Sequence, residues 1–561
     1  MTGTYEMVER TGGQALVAQL LEEGVTDIFG IPGIQLDWAV EAVRSQPNRL
    51  RYIMPRHEQA TSYMADGYAR TTGKEGVFMV VPGPGVLNAL SGLATAYACS
   101  SRVLCISGQI PSDKIGRNEG MLHEIPDQSG ILKSLTKWHG IARRPEDVAG
   151  LVHEAFVQLR SGHPRPVAIE LPPDVLQAKG MTKILPRAEF APVAPEANAI
   201  KAAAALLASA KFPVIQIGGG AAASNAGKAI IALAERLQAP VVMTDGARGL
   251  VPDSHPLALT SVGGRAALPH ADVVLAVGTR FIDGHGTPTH ANANTKYIYI
   301  NVDPAAAAAP RVPGQVVIAD ATAGAEALLA ALPAEARPSA TETVAKIKAW
   351  TASQTDAIQP QTDYVRAIRA SMAKDDILVS ELTQVGYFSN IAFPVEAPLS
   401  FVTPGYQGTL GYGFNTALGA ANGNPNRRVV SLNGDGGFGW GMQELATLAR
   451  DGNNMSVVVF VDGHYGNVRR IQKRTFGETF AVELANPDFA HLAQAFGLPH
   501  EAVDSPQGLG EALSRAARTK GPALITVKVG EMPSPWALIH PFVPSPVPVP
   551  PNPLGDVAKS A

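Results

Sequence analysis

Two aspartates, Asp435 and Asp462, stand 27 positions apart, each just past an apolar run. Val429, Val430, Ser431 and Leu432 lead toward Gly434-Asp435-Gly436-Gly437, and residues 457–461 lead into Asp462. Residues 442–450 between them have helical character. A strand–helix–strand crossover returns its second strand parallel to the first, so both carboxylates reach the same end of a sheet. Flanking glycines let a bulky anion approach the backbone closely. A hard cation held by few protein oxygens, with phosphate and water completing its shell, is the usual magnesium arrangement.

The elements that must position this pair belong to the last of three blocks, each alternating apolar strand-like runs with helical patterns. The first block spans 1–180, with strands expected at 27–30, 77–81, 103–107 and 167–171. A Pro/Ala-rich stretch to about Pro195 reads as a linker. The second block spans 196–333, with strands expected at 214–217, 241–243, 273–277 and 297–302. The third spans 360–532, and a Pro-rich tail, 533–561, suits extended or disordered chain better than a packed element. The expected fold class is α/β, with three doubly wound parallel-sheet domains, of which the first and third could share a fold.

A chain of 561 residues, 46% hydrophobic and 17% charged, fits a multidomain globular protein. Its net charge of -3 gives no reason to expect nucleic acid or an anionic membrane as partner. The start, MTGTYEMVER, lacks the pattern of a signal peptide, and no apolar run is long enough for a membrane span. The two cysteines, Cys99 and Cys105, fit a reducing compartment, so a cytoplasmic protein is expected.

Three further stretches carry chemistry. Pro55-Arg56-His57-Glu58-Gln59-Ala60 precedes Met64-Ala65-Asp66-Gly67-Tyr68-Ala69-Arg70; Val81-Pro82-Gly83-Pro84-Gly85 precedes Asn88; and Gly408-Thr409-Leu410-Gly411-Tyr412-Gly413 lies shortly before the aspartate pair. In this order and spacing, the four stretches resemble the thiamine-diphosphate enzymes, in their acetohydroxyacid (acetolactate) synthase branch. The resemblance covers about 525 residues. It implies pyrimidine-binding, central and diphosphate-binding domains, with thiamine diphosphate and Mg2+ as cofactors. Glu58 matches the glutamate that hydrogen-bonds the aminopyrimidine ring. Burial in an apolar slot would raise the pKa of such a carboxyl and let it exchange a proton near neutrality. Leu410 matches the apolar wedge between the cofactor rings, and Gly408 the carbonyl that meets the amino group. Pro84 and Asn88 belong to the Gly-Pro-Gly turn at a helix start. Thr383 and Gln384 match diphosphate-contacting positions, and Gly434, Gly436, Gly437, Tyr465 and Gly466 are further cofactor-binding candidates. Asp435 and Asp462 would ligate the metal through their side chains, and His464 through its backbone carbonyl. His57, Gln109 and His123 are candidates for handling substrate, the histidines as proton relays.

The resemblance has gaps. Asparagine is usual in the family where Asp462 stands, and acetohydroxyacid synthases place tryptophan where Ile471 stands. The middle block offers a glycine-rich turn, Ile217-Gly218-Gly219-Gly220-Ala221, that could cradle a nucleotide phosphate. Gly227-Lys228 is followed by Ala229, so it is no P-loop. Acetohydroxyacid synthases bind FAD on this domain around a segment that Arg280-Phe281-Ile282-Asp283-Gly284 matches only in part, so a structural middle domain is expected and FAD stays open. The implied reaction is carboligation or lysis of a 2-oxo acid through a ylid and an enamine. The second substrate would be an aldehyde or an acyl-CoA. A benzoylformate-decarboxylase-like 2-oxo acid decarboxylase is the alternative, and a non-catalytic module is a third. The family also implies a homodimer or homotetramer with the active site between subunits.

Overall fold

The computed structural model describes residues 6–556 apart from 281–291, 293, 308–313, 336, 541–542, 544 and 546–547. Most of its described strands form three six-stranded sheets in which every pairing is parallel. Strands such as Val273–Val277 are apolar and buried along their whole length, as a sheet covered by helices on both faces requires. The chain is therefore an α/β protein.

The N-terminal sheet runs Arg51–Ile53, Asp27–Gly30, Gly76–Val80, Val103–Gly108, Val167–Leu171, Trp138–Ile141. The C-terminal sheet runs Phe401–Val402, Ile377–Ser380, Val429–Gly434, Met455–Val461, Ala523–Lys528, His500–Val503. Counted along the chain, both have the order 2-1-3-4-6-5, so these two blocks share a topology. The central sheet runs Ala258–Leu259, Val241–Met243, Pro213–Ile217, Val273–Val277, Lys296–Asn301, Gln315–Ile318, which is the order 3-2-1-4-5-6. In each sheet the order reverses beside the first strand, which opens a crevice at the carboxyl ends of two neighbouring strands.

Two stretches differ from expectation. Within the presumed linker, Lys179–Thr182 forms a strand that pairs antiparallel with Val8–Thr11. Its alternating burial comes from that partner, more than 160 residues away, and leaves little local signal. The described end of the Pro-rich tail is docked. The Trp350 indole N–H donates to the Pro550 carbonyl at 3.0 Å, Asn552 Nδ2 donates to the Ala266 carbonyl at 3.2 Å, and Leu554 packs on the central core.

The chain divides into two compact units that do not follow the three sheets. One comprises Met1–Ala191 with Phe414–Pro425 and Gly441–Asn453; the other comprises Pro192–Gly413, Asn426–Trp440 and Asn454–Ala561. In the first unit the helix Glu58–Thr72 is buried over most of its length, because sheet and helix cover it on opposite sides. Close approach depends on glycine. A Cβ on Gly67 would collide with the Thr416 carbonyl, and one on Gly419 with the Met64 carbonyl.

Candidate active site

In the second unit, the reversal between Ile377–Ser380 and Val429–Gly434 puts two chain segments at one crevice. Residues 381–384 leave the first strand and residues 435–438 leave the second. The crevice opens into a cavity of about 420 Å³, within the usual range for small-molecule sites. Every residue expected to hold cofactor from this half of the chain, from Thr383 to Gly466, lines it. Leu410 stands 39% exposed on the wall.

The two aspartates meet here through backbone geometry. Asp435 begins a short helix, Asp435–Phe438; its Oδ1 accepts from the Gly436 N–H, and its Oδ2 from the Gly463 N–H at 2.8 Å and Asn486 Nδ2 at 2.7 Å. Asp462 Oδ1 accepts from the His464 N–H at 3.0 Å, and Oδ2 from Gln384 Nε2 at 2.9 Å. Burial raises the pKa of Asp462, and the negative charge of Asp435 adds to that rise. A divalent cation would offset both costs. Among the described residues no group of three or more His, Cys, Asp or Glu side chains could hold a metal. The donor set is thus two carboxylates and backbone, which fits a hard cation whose remaining ligands are phosphate oxygen and water.

Gln384 is occupied. Its Nε2 also reaches the Gly530 carbonyl at 3.4 Å, and its Oε1 accepts from the Met532 N–H at 2.8 Å. It lines the cavity while orienting Asp462 and tying residues 530–532 to the wall. The His464 imidazole Nδ1 turns to the Asp462 carbonyl at 2.7 Å.

Glu381 has no counterpart among the sequence candidates. Its side chain is almost fully buried on the cavity floor, and burial pushes its pKa up to about 7. Backbone N–H groups of Gly434, Gly411, Gly413 and Tyr412 face it and oppose the rise. Gly411 donates to Oε1 at 3.0 Å, while Oε2 is buried without a partner. A single glutamate after an apolar strand carries no local mark of this environment. The far wall was also unmarked: the Tyr387 and Trp536 rings lie 4.8 Å apart, and Asn467 Oδ1 accepts from Trp536 Nε1 and from Arg470 Nη2.

In the first unit, Glu58 is the first residue of its helix and half-buried, so this chain alone does not enclose it in an apolar slot. Asn88 Nδ2 donates to its Oε2 at 3.0 Å, which brings together two of the expected residues. His57 caps the helix, its Nδ1 accepting from the Gln59 N–H at 3.1 Å. Pro84 opens the helix Pro84–Cys99 behind Gly83, whose φ of +59° suits glycine. His123 packs against Gly83 through its carbonyl; its φ is +69° and its Nδ1 is buried without a partner. Gln109 is buried, with Nε2 donating to Glu170 at 2.6 Å and Oε1 accepting from the Ile110 N–H at 2.7 Å. The same Glu170 accepts from Gln128 and Ser129 and meets His139, and Gln128 Oε1 takes the Gly83 N–H at 2.8 Å. In this chain Gln109 belongs to the network that holds the Gly83 turn.

The chain is similar to known proteins along most of its length. Family models described as the N-terminal binding, central and C-terminal binding domains of thiamine pyrophosphate enzymes match residues 10–131, 200–328 and 383–527. A Pseudomonas aeruginosa protein named "Probable 2-ketoarginine decarboxylase" is 37% identical, over 89% of this chain and 90% of its own length. A Methanocaldococcus jannaschii protein named "Probable acetolactate synthase large subunit" is 32% identical over 92% of each chain. The acetolactate synthase isozyme 1 large subunit of Escherichia coli is 30% identical, over 94% of this chain and 96% of its own. With two carboxylates at a glycine-lined cavity in one unit, a glutamate at a helix start in the other, and family matches across all three sheets, the chain belongs to the thiamine pyrophosphate enzymes.

Proposed function

We propose that the chain is a thiamine-diphosphate- and Mg2+-dependent carboligase or lyase that acts on a 2-oxo acid in the manner of acetolactate synthases. The observation that carries this reading is the convergence of Asp435 and Asp462 on a cavity whose walls include Gly408 and Leu410. Asp435, Asp462 and the His464 carbonyl would hold the metal. The open backbone at Gly434, with Gly436 and Gly437 beside it, would let the diphosphate approach closely. Gly408, Leu410 and Glu58 would hold and orient the aminopyrimidine and thiazolium rings. The bound cofactor supplies the electron sink that decarboxylation of a 2-oxo acid needs. In this reading His123, with its orphaned Nδ1, and His57 would carry protons.

The working form in this reading is a homodimer or homotetramer in which Glu58 and Asp435 serve one site from different subunits. Among the described residues no helix is long and apolar enough to cross a membrane. FAD stays open, because the half-matching segment lies, apart from Arg280, outside the described residues.

A second reading, simple decarboxylation, draws on the relative named for 2-ketoarginine and on Ile471, 43% exposed on the basic helix Gly466–Phe476. Product analysis separates the two. The protein is supplied with thiamine diphosphate, Mg2+ and either pyruvate or 2-ketoarginine, with and without an aldehyde acceptor. Acetolactate or another acyloin is the expected product; release of aldehyde alone, whatever the acceptor, would overturn carboligation in favour of the lyase.

A further inference from the structure

The Gln443-Glu444-Leu445 stretch has no role in the site as described so far, yet Glu444 is fully buried. It ends the short turn Met442–Glu444 and precedes the helix Leu445–Asp451, within the compact unit that also contains Glu58. Its carboxylate is surrounded by donors. The Arg56 N–H reaches both oxygens, Oε1 at 3.0 Å and Oε2 at 2.9 Å; the His57 N–H donates to Oε1 at 3.0 Å; and Thr447 Oγ1 donates to Oε2 at 2.6 Å. In the last turn of that helix, Arg450 Nη1 donates to the Met54 carbonyl at 2.5 Å. The strap formed by residues 54–57 is therefore gripped at both ends by one helix, and Glu58 is the next residue.

The energetics favour a specific role. A buried carboxylate is costly unless fully hydrogen-bonded, and this one is matched to two backbone N–H groups that precede the first turn of a helix. Those donors have a fixed direction, so the carboxylate fixes the plane of the Arg56–His57 peptide. That peptide in turn sets where the helix begins, and with it the direction from which the Glu58 side chain leaves. His57 keeps its extended φ of -140° and its own cap on Gln59 in this arrangement. Burial raises the pKa of Glu444, which the Thr447 hydroxyl and the two N–H groups counter.

We propose that Glu444 is a positioning residue for Glu58, holding the strap before it so that the Glu58 carboxylate meets the aminopyrimidine of thiamine diphosphate in one fixed orientation. This rests on the proposed role of Glu58. Because Glu444 touches neither the metal ligands nor the diphosphate wall, its loss should alter cofactor activation far more than cofactor binding.

The test uses the full-length holoenzyme with thiamine diphosphate and Mg2+. The rate at which the bound cofactor exchanges its C2 hydrogen for deuterium is read by NMR after acid quench. Cofactor affinity comes from quenching of tryptophan fluorescence. The variants are Glu444→Ala, Glu444→Gln and, as reference, Glu58→Gln. The expected result is exchange slowed at least about tenfold in Glu444→Ala, since small misplacement of a reacting group is costly. Affinity should stay within about threefold of the unmodified protein. Glu444→Gln keeps one acceptor oxygen and turns an NH2 toward backbone donors, so it should fall between the two. Should the alanine variant fail to fold, the isosteric glutamine variant decides alone. Unmodified exchange in the folded Glu444 variants, with slow exchange in Glu58→Gln, would overturn the positioning role and leave Glu58 standing. Unmodified exchange in Glu58→Gln would overturn the reading of Glu58 itself, and the role of Glu444 with it.

Discussion

Two glycine-rich turns of the same compact unit occupy equivalent places and behave differently. Residues 218–220 follow the first strand of the central sheet at its reversal point, and residues 434–437 stand at the reversal point of the C-terminal sheet. The central turn is spent on its neighbours. The Gly218 N–H donates to the Val277 carbonyl at 3.1 Å, the Gly220 N–H donates to the Gly278 carbonyl at 2.9 Å, and a Cβ on Gly278 would collide with the Ala221 nitrogen. Around Gly434 the chain is open: the nearest atom to a Cβ there would be the Thr383 Cβ, at 3.6 Å, and beyond it lies the cavity. The order 3-2-1-4-5-6 and a glycine-rich turn both suggest a nucleotide site in the central sheet. A phosphate nevertheless needs room to reach the backbone, and in the central turn the neighbouring chain fills that room.

That contrast can be broken at several points, with effects on cofactor binding that run from large to small. Asp435→Ala removes a carboxylate already held by Gly463 and Asn486, and should weaken Mg2+-dependent thiamine diphosphate binding by more than about a hundredfold in a calorimetric titration. Gly437→Ala comes next. Its methyl would run into the Glu381 carboxylate, displacing it from the N–H groups that hold it, and affinity should fall about tenfold.

Glu381→Gln tests the floor of the cavity. The carboxyl rises from an ordinary 4.5 to about 7 on folding, chiefly through burial. Between those values the folded chain binds more protons here than the unfolded chain, so stability is greatest below the window and is lost as pH rises through it. The loss above pH 7 amounts to about 3 kcal/mol. Glu381→Gln should flatten the dependence of the unfolding temperature on pH between about 5 and about 8, while changing cofactor affinity only modestly. An unaltered pH profile would show that Glu381 ionises as an ordinary carboxyl.

Gly220→Ala should have the smallest effect on binding. Its Cβ would lie 2.9 Å from the Gly278 Cα, so the variant should lose about 1–3 kcal/mol of stability through overpacking. Thiamine diphosphate affinity should stay within about twofold, because the two turns do not share contacts. A large loss of affinity would mean that the central turn takes part in cofactor binding.

Much of the fold was legible locally. The strands Asp27–Gly30, Val167–Leu171, Val241–Met243 and Val273–Val277 stand where apolar runs between turn residues predict, because strands covered on both faces must be apolar throughout. Lys179–Thr182 was not legible, since its partner lies at the other end of the block. Nor was the docking of Pro550 and Leu554, which depends on Trp350 and the central core offering a surface for them.

The site divides in the same way. The sequence by itself determined the candidates for chemistry: Asp435 and Asp462 across a crossover, Glu58 after its turn, Leu410 in its glycine loop. Those depend on residue type and short-range spacing, which the chain states directly. Only the tertiary structure decided what surrounds them. It buried Glu381 beneath residues 408–413, spent Gln109 on Glu170, turned Gln384 to Asp462, and set Glu444 under the Arg56 and His57 amides, almost 400 positions away in the chain. A carboxylate's character is fixed by desolvation and by the donors that reach it, and both come from segments that meet only when the sheets have formed.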